Sequence, residues 1–174
     1  KTDLEIYDVE MISTQGGSLR IFICHPNIFS ISENVKNLLN REFQGNFDKL
    51  ATYQKIKENV DKLKNDLISL LEKIKNEEKR VAAYSAPAKG NILLNYFGIK
   101  NYLDFIVDKS EAKQGLYTPG THLLVYPPKK IYQEKPNYCL ILCWNIANEV
   151  IEQLKEYQQN GGKFIIPVPN VRII

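Results

Sequence analysis

The chain has 174 residues, 44% hydrophobic and 25% charged, a composition that excludes a disordered, collagenous or disulfide-stapled chain. Lys and Arg number 23 against 20 Asp and Glu, and a net charge of +3 falls short of the dense basic face that nucleic-acid binding requires. The longest uncharged apolar runs, such as residues 138–144, are far below the roughly 18 to 20 residues of a membrane span, and no leader-like stretch opens the chain. Neither nucleic acid nor membrane is therefore expected as a partner.

Residues 4–12 and 18–24 are β-branched and aromatic runs joined by Ser13-Thr-Gln-Gly-Gly17, the signature of a hairpin, because paired glycines allow positive φ. A lone hairpin is marginal in water, so its sheet partner is expected upstream of Lys1. Lys1 is not Met, and the chain is expected to start inside a larger protein. Pro26 ends the second strand, and Ser32 caps a predicted helix over residues 32–43 that Gly45 breaks. From Asp48 to about Glu78 there is no Gly or Pro, and Tyr53, Ile56, Val60, Leu63, Leu67, Leu70 and Ile74 recur in steps of three and four. That spacing predicts one long amphipathic helix laying an apolar stripe on its own domain, with an interrupted coiled coil as the other reading.

Beyond residue 80 short apolar strands alternate with helical segments: strands at 81–84, 103–107, 121–126, 138–142 and 163–166, and helices at 91–97 and 145–159, the latter stopped by Gly161 and Gly162. Continuous apolar strands suit a sheet covered on both faces. The fold expected is α/β, an open, mostly parallel Rossmann-like sheet flanked by helices and preceded by a β-hairpin and a long helix. The divisions are 1–27, the hairpin; 28–79, a helical connector; and 80–174, the α/β domain.

Ligands of such a sheet collect beyond the carboxyl ends of the strands, where strand order reverses. Tyr84-Ser-Ala-Pro-Ala-Lys-Gly-Asn91 is one such loop, and Ser85, Lys89, Gly90 and the amides opening the next helix form an anion cradle or a plain strand-to-helix connection. It is neither G-x-G-x-x-G nor a P-loop. Trp144 and Asn145 leave the 138–142 strand at the same edge, either capping the core and the helix or walling a pocket beside Lys89. Asp108 stands where a dinucleotide enzyme holds a ribose. Cys24, Cys139 and Cys143 are odd in number, lie in apolar runs and never form C-x-x-C, so they read as free thiols in a reducing, cytoplasmic compartment. No metal site, G-x-S-x-G or H-E-x-x-H motif is evident, and no catalytic residue is assigned.

Seven segments occur in the order found in the C-terminal domain of sugar C-methyltransferases, and together they cover essentially the whole chain. They are Thr14-Gln-Gly-Gly-Ser-Leu-Arg20; Ala86-Pro-Ala-Lys-Gly-Asn91 with Leu93-Leu-Asn95; Asp104-Phe-Ile-Val-Asp108; Lys113-Gln-Gly115; Pro119-Gly-Thr-His122; Trp144-Asn145; and Gly161-Gly-Lys-Phe164 with Pro167-Val-Pro169. The chain resembles that family, with two departures: Gln15 stands where the family often has His, and Ser85 where Gly is common.

The resemblance implies a larger enzyme with a zinc-binding N-terminal domain, a central S-adenosylmethionine-binding domain and the α/β domain seen here. Such enzymes methylate a carbon next to the ketone of a nucleotide-linked deoxysugar, a step that needs a base and a stabilised enolate. It further implies that residues 1–27 are the tail of the upstream methyltransferase domain, and that this chain binds neither cofactor itself and is inactive alone. Its part would be to bind the nucleotide-linked sugar through Ser85, Lys89, Gly90, Asn91, Trp144 and Asn145, with Gln15, Gly16, Gly17 and Ser18 beside the cleft. Two other readings stay open, a free-standing binding or interaction module of the same fold and a nicotinamide-dependent oxidoreductase. An uncovered hairpin edge also invites a homodimer.

Overall fold

The structure, a computed structural model, describes residues 2–174. The chain divides into two units, residues 1–59 and 60–174. In the first, β1 (Glu5–Ile12) and β2 (Ser18–Cys24) pair antiparallel, with a register shift between Ile6 and Asp8. The linking turn holds Gln15, Gly16 and Gly17 at φ of 58°, 88° and 122°, which is why glycines follow one another there.

Helix α1 (Glu33–Gln44) begins as predicted: Ser32 Oγ accepts the Val35 amide at 3.4 Å and donates to Asp8 Oδ1 at 2.6 Å. One hydroxyl thus caps the helix and ties it to the irregular point of β1, burying Val9 against the helix that carries Val35. The Ser32 hydroxyl, with the Asn34 amide, holds the Asp8 carboxyl below its ordinary range.

Helix α2 (Leu50–Asn76) is continuous over 27 residues, as the unbroken apolar spacing requires. Its buried residues are Leu67, Leu71 and Ile74, with Leu70 only half-buried, so the seam steps by four and then three where the spacing through Leu70 predicted three and then four. Tyr53 and Ile56, nearer its start, are exposed.

The second unit carries a six-stranded sheet in the order β5-β4-β3-β6-β7-β8. The strands are β3 (Val81–Tyr84), β4 (Phe105–Val107), β5 (Val125–Tyr126), β6 (Tyr138–Ile141), β7 (Lys163–Ile166) and β8 (Arg172–Ile173). All neighbours are parallel except β7 and β8. Side chains alternate between two cores, as the period of a strand demands. Val81, Ala83, Leu140 and Ile165 face the core with α2 and α3 (Ala88–Phe97). Ala82, Tyr84, Cys139, Ile141 and Phe164 face the other, with α4 (Lys129–Glu134), α5 (Ala147–Gln153) and α6 (Lys155–Gln159). The expected mostly parallel α/β sheet, with its hairpin and long helix before it, is present.

Several boundaries differ from the sequence reading. Helix α3 starts at Ala88 and not at 91, because Pro87 is extended at φ −78° and ψ 162° and suits the position before a first turn. The strand expected over 121–126 shrinks to two residues, since a 2.7 Å hydroxyl pair between Thr118 and Thr121 and a positive φ at His122 hold the preceding chain in a turn. The helix expected over 145–159 starts at Ala147 and is interrupted at Leu154, whose amide donates to both Val150 and Ile151 carbonyls, a tightening that lets Leu154 and Tyr157 both bury. Helix α4 and strand β8 were not foreseen; each is too short to show a period. Among the described residues no helix is long and apolar enough to cross a membrane.

Candidate functional site

Strand order reverses between β3 and β6, so the loops that leave these two strands flank the sheet's switch point. The Leu142 amide donates to the Tyr84 carbonyl at 3.0 Å and the Ser85 amide to Val107 at 2.7 Å, extending the ladders just past the strands. Ser85 sits at φ +72°, a left-handed conformation natural to glycine. The glycine common in the resembling family at this place therefore has a backbone reason, and this chain holds the same turn with a serine.

What makes the turn tolerable is Asp108, at the end of β4 and 5% exposed. Its Oδ2 accepts the Ser85 hydroxyl at 3.2 Å, the Ala86 amide at 2.7 Å and the Lys113 ammonium at 3.1 Å, and its Oδ1 accepts the Ser110 amide at 2.8 Å. Burial alone would raise this carboxyl; the two amides and Lys113 outweigh it and hold the group below the usual range. The carboxylate orients the switch-point loop, with both of its oxygens already accepting hydrogen bonds from the protein. Lys113 also donates to the Ala86 carbonyl at 3.1 Å.

On the β6 side, Lys89 in the first turn of α3 donates to Asn145 Oδ1 and lies 5.0 Å from the centre of the Trp144 ring. Trp144 packs against both core clusters, so it closes the top of the core and carries a cation on its face at once. Asn145 is not the helix cap: it lies in the short turn of residues 144–146, and α5 starts at Ala147 with no side-chain cap. Three residues from two loops, 56 positions apart in sequence at the Lys89–Asn145 bond, thus converge at the switch point.

The remaining predicted residues have settings of their own. Gly90 is buried, and a Cβ there would stand 2.8 Å from Leu142 Cβ and 3.0 Å from Pro87 Cδ, so its bareness lets α3 approach the end of β6. Asn91 lines a pocket on the other side of α3 together with Lys113 and Tyr117. Gln15, Gly16, Gly17 and Ser18 form the hairpin turn of the first unit, where the Ser18 hydroxyl donates to the Thr14 carbonyl at 3.0 Å. Lys113 and Tyr117 were not singled out as site residues by sequence, although Lys113-Gln-Gly115 lay within a family motif.

A methyl-donor or dinucleotide cradle does not fit the β3–α3 connection, since the absent side chain of Gly90 faces packed protein and not open space. Among the described residues no three His, Cys, Asp or Glu side chains gather as a metal site. Cys139 and Cys143 are buried and free, and burial pushes both thiols up, which leaves them protonated core side chains. What the switch point offers chemically is a cation on an aromatic face beside the opening amides of a helix, groups that can receive an anion.

Residues 13–169 match the family model of the C-methyltransferase C-terminal domain. The chain is 30% identical over 173 residues to the C-methyltransferase NovU of Streptomyces niveus, an alignment covering 98% of this chain and 41% of that protein. It thus spans about two-fifths of the length of that curated relative, the share expected of one domain among several. The ordered motifs, the switch-point architecture and these two matches agree, and the chain belongs to the C-methyltransferase C-terminal domain family.

Proposed function

We propose that this chain is the substrate-holding domain of an S-adenosylmethionine-dependent enzyme that methylates a carbon of a nucleotide-linked keto-deoxysugar. The observation that carries the reading is the convergence of Lys89, Trp144 and Asn145 at the switch point of a sheet whose family is that of C-methyltransferases. A nucleotide sugar presents a diphosphate for the Lys89 ammonium and the opening amides of α3, and hydroxyls for the Asn145 amide. S-adenosylmethionine, when bound to the upstream domain, supplies the methyl group, and the structural zinc also belongs upstream. No catalytic base is assigned to this chain, and alone it transfers nothing.

The exposed Leu19, Ile21 and Ile23 of β2 support the further reading that residues 1–27 complete an upstream sheet. Pairing of two copies through the open hairpin edge is the competing use of that strand. The buried free thiols favour a reducing, cytoplasmic setting.

The test is methyl transfer by the full-length protein from S-adenosylmethionine to a thymidine-diphosphate 4-keto-deoxysugar, with Lys89→Ala and Trp144→Ala beside the wild type. The reading expects turnover in the wild type and a KM raised about tenfold or more in either variant, the loss of one charged or aromatic contact. Unchanged KM in both variants would remove the substrate from this site.

A further inference from the structure

The ion pair of Lys113 with Asp108 differs in setting from the surface pairs of this chain. Arg20–Glu10 and Lys62–Asp66 each join two side chains that are about half exposed or more. Lys113, 43% exposed, instead reaches at 3.1 Å a carboxylate whose side chain is 7% exposed. The other donors to that carboxylate are neutral, the Ser85 hydroxyl and the Ala86 and Ser110 amides. Among the described residues Lys113 is therefore the one cation hydrogen-bonded to Asp108. Exposed pairs contribute little to a fold, but a buried carboxylate deprived of its cation keeps an uncompensated charge.

The place of that charge gives it a consequence for binding. Ala86 donates its amide to Asp108 at 2.7 Å, and its carbonyl accepts Lys113 at 3.1 Å, so carboxylate and ammonium hold the two backbone polar groups of one residue. Ala86 leads through Pro87 into the first turn of α3, which opens with Ala88 and Lys89. The Asp108 charge thus stands beside the chain that enters the opening amides of α3 and Lys89, where a diphosphate would lie. A like charge at a partly buried site repels an incoming anion over several ångströms, because little water screens it.

We infer that Lys113 is a positioning residue for anion binding at the switch point: it neutralises Asp108, so that the loop keeps a buried carboxylate for its shape and still receives a diphosphate. The inference rests on the sugar-nucleotide reading of that site. Lys113 acts through Asp108, since two of its three N–H groups are given to the Asp108 carboxylate and the Ala86 carbonyl. What the site needs from position 113 is a positive charge beside Asp108. Arginine supplies that charge, and an uncharged side chain of similar length does not. Removing the carboxylate removes the need for the cation.

The experiment is calorimetry on the full-length protein with thymidine-diphosphate glucose as the probe. Wild type is compared with Lys113→Arg, Lys113→Gln, Asp108→Asn and the double variant Lys113→Gln/Asp108→Asn, each with its thermal midpoint. The inference expects Lys113→Gln to weaken the probe by about tenfold or more and Lys113→Arg to stay within about threefold of wild type. Asp108→Asn should bind no more weakly than wild type, and the double variant should recover to within about threefold of it. A merely structural role gives no such recovery, because the second substitution adds damage to the first. Unchanged affinity in Lys113→Gln overturns the inference. So does a double variant as weak as Lys113→Gln, which would put the ammonium on the ligand itself. Should Lys113→Gln not fold, Asp108→Asn decides alone: a loss of about tenfold there means that the carboxylate aids the anion, and the inference falls. In each of these cases binding by the wild type leaves the sugar-nucleotide reading standing, whereas a wild-type protein that does not bind the probe overturns both.

Discussion

Asp108 Oδ2 accepts the Ala86 amide at 2.7 Å, joining residues 22 positions apart, and this bond holds the end of β4 against the loop that leaves β3. The loop contains Ser85 at positive φ and leads into the α3 turn that carries Lys89, so the carboxylate helps to fix the geometry of the switch point. Asp108→Asn replaces one acceptor oxygen by a donor and removes the charge that pairs with Lys113. The expected loss is about 1–3 kcal/mol, the cost of leaving buried polar groups unpaired, read as a lower urea midpoint with unchanged m.

The same carboxylate imposes an acid limb on stability. Its folded pKa lies below the unfolded value, so the folded state binds fewer protons and the stabilisation is complete above the unfolded pKa of about 3.9. It is lost as pH falls from there through the folded pKa. Denaturation midpoints measured from pH 6 down to about pH 2 should fall less steeply for Asp108→Asn than for wild type. Parallel slopes would show that Asp108 is not held in its charged form.

Ser85 separates two effects by a pair of substitutions. Glycine relieves a left-handed backbone worth about 1–2 kcal/mol but loses the hydroxyl bond to the Asp108 carboxylate, worth about 1.5–3 kcal/mol. Alanine loses the bond and keeps the strain. Ser85→Ala should therefore be less stable than Ser85→Gly by about 1 kcal/mol or more, measured by thermal or urea unfolding of the two variants side by side.

Gly90→Ala tests a close approach. Alanine gains up to about 1 kcal/mol of helix propensity, yet its Cβ would stand 2.8 Å from Leu142 Cβ, an atom fixed to the backbone of the β6 loop. Overpacking of this kind costs about 1–3 kcal/mol and should win. A stabilised Gly90→Ala protein would mean that α3 can move away from β6 freely.

The two leucines of α2 are predicted to part company. Leu71 is fully buried against the sheet, and Leu71→Ala should cost about 2–5 kcal/mol. Leu70→Ala, at a half-buried position on the same helix, should cost clearly less, and equal losses would place the seam where simple spacing put it.

Lys89→Met should leave stability within about 2 kcal/mol of wild type, since a cation over a half-buried aromatic face and one hydrogen bond to Asn145 contribute about that much. Its expected effect is on nucleotide-sugar affinity, lowered about tenfold in calorimetry of the full-length protein. A large drop in thermal midpoint would instead make Lys89 part of the scaffold.

Local periodicity was enough to determine most of the elements. Strands alternate every second residue and helices every third or fourth, so the hairpin, the Ser32 cap, α2 and the apolar strands β3, β4, β6 and β7 were legible, and with them a mostly parallel α/β sheet. The ordered motifs carried the family in the same way, because identity in a motif is itself local. Helix α4 and strand β8 were not legible, since six and two residues without an apolar run display no period, and β5 was legible only as part of a longer strand that the Thr118–Thr121 turn cuts short.

The site was decided by the tertiary structure. Sequence placed Lys89, Trp144 and Asn145 at strand ends, but whether they meet depends on β3 and β6 being neighbours, and no residue spacing encodes strand order. The same holds for Asp108: position alone suggested a free carboxylate for a ribose, while the fold delivers two amides, a hydroxyl and an ammonium to it and spends its charge on the loop. Asn91, named for the substrate on the resemblance alone, is left with a buried, unpaired oxygen once α3 packs. Short-range sterics and burial determine elements; contacts between distant residues determine which polar groups are consumed and which remain for a ligand.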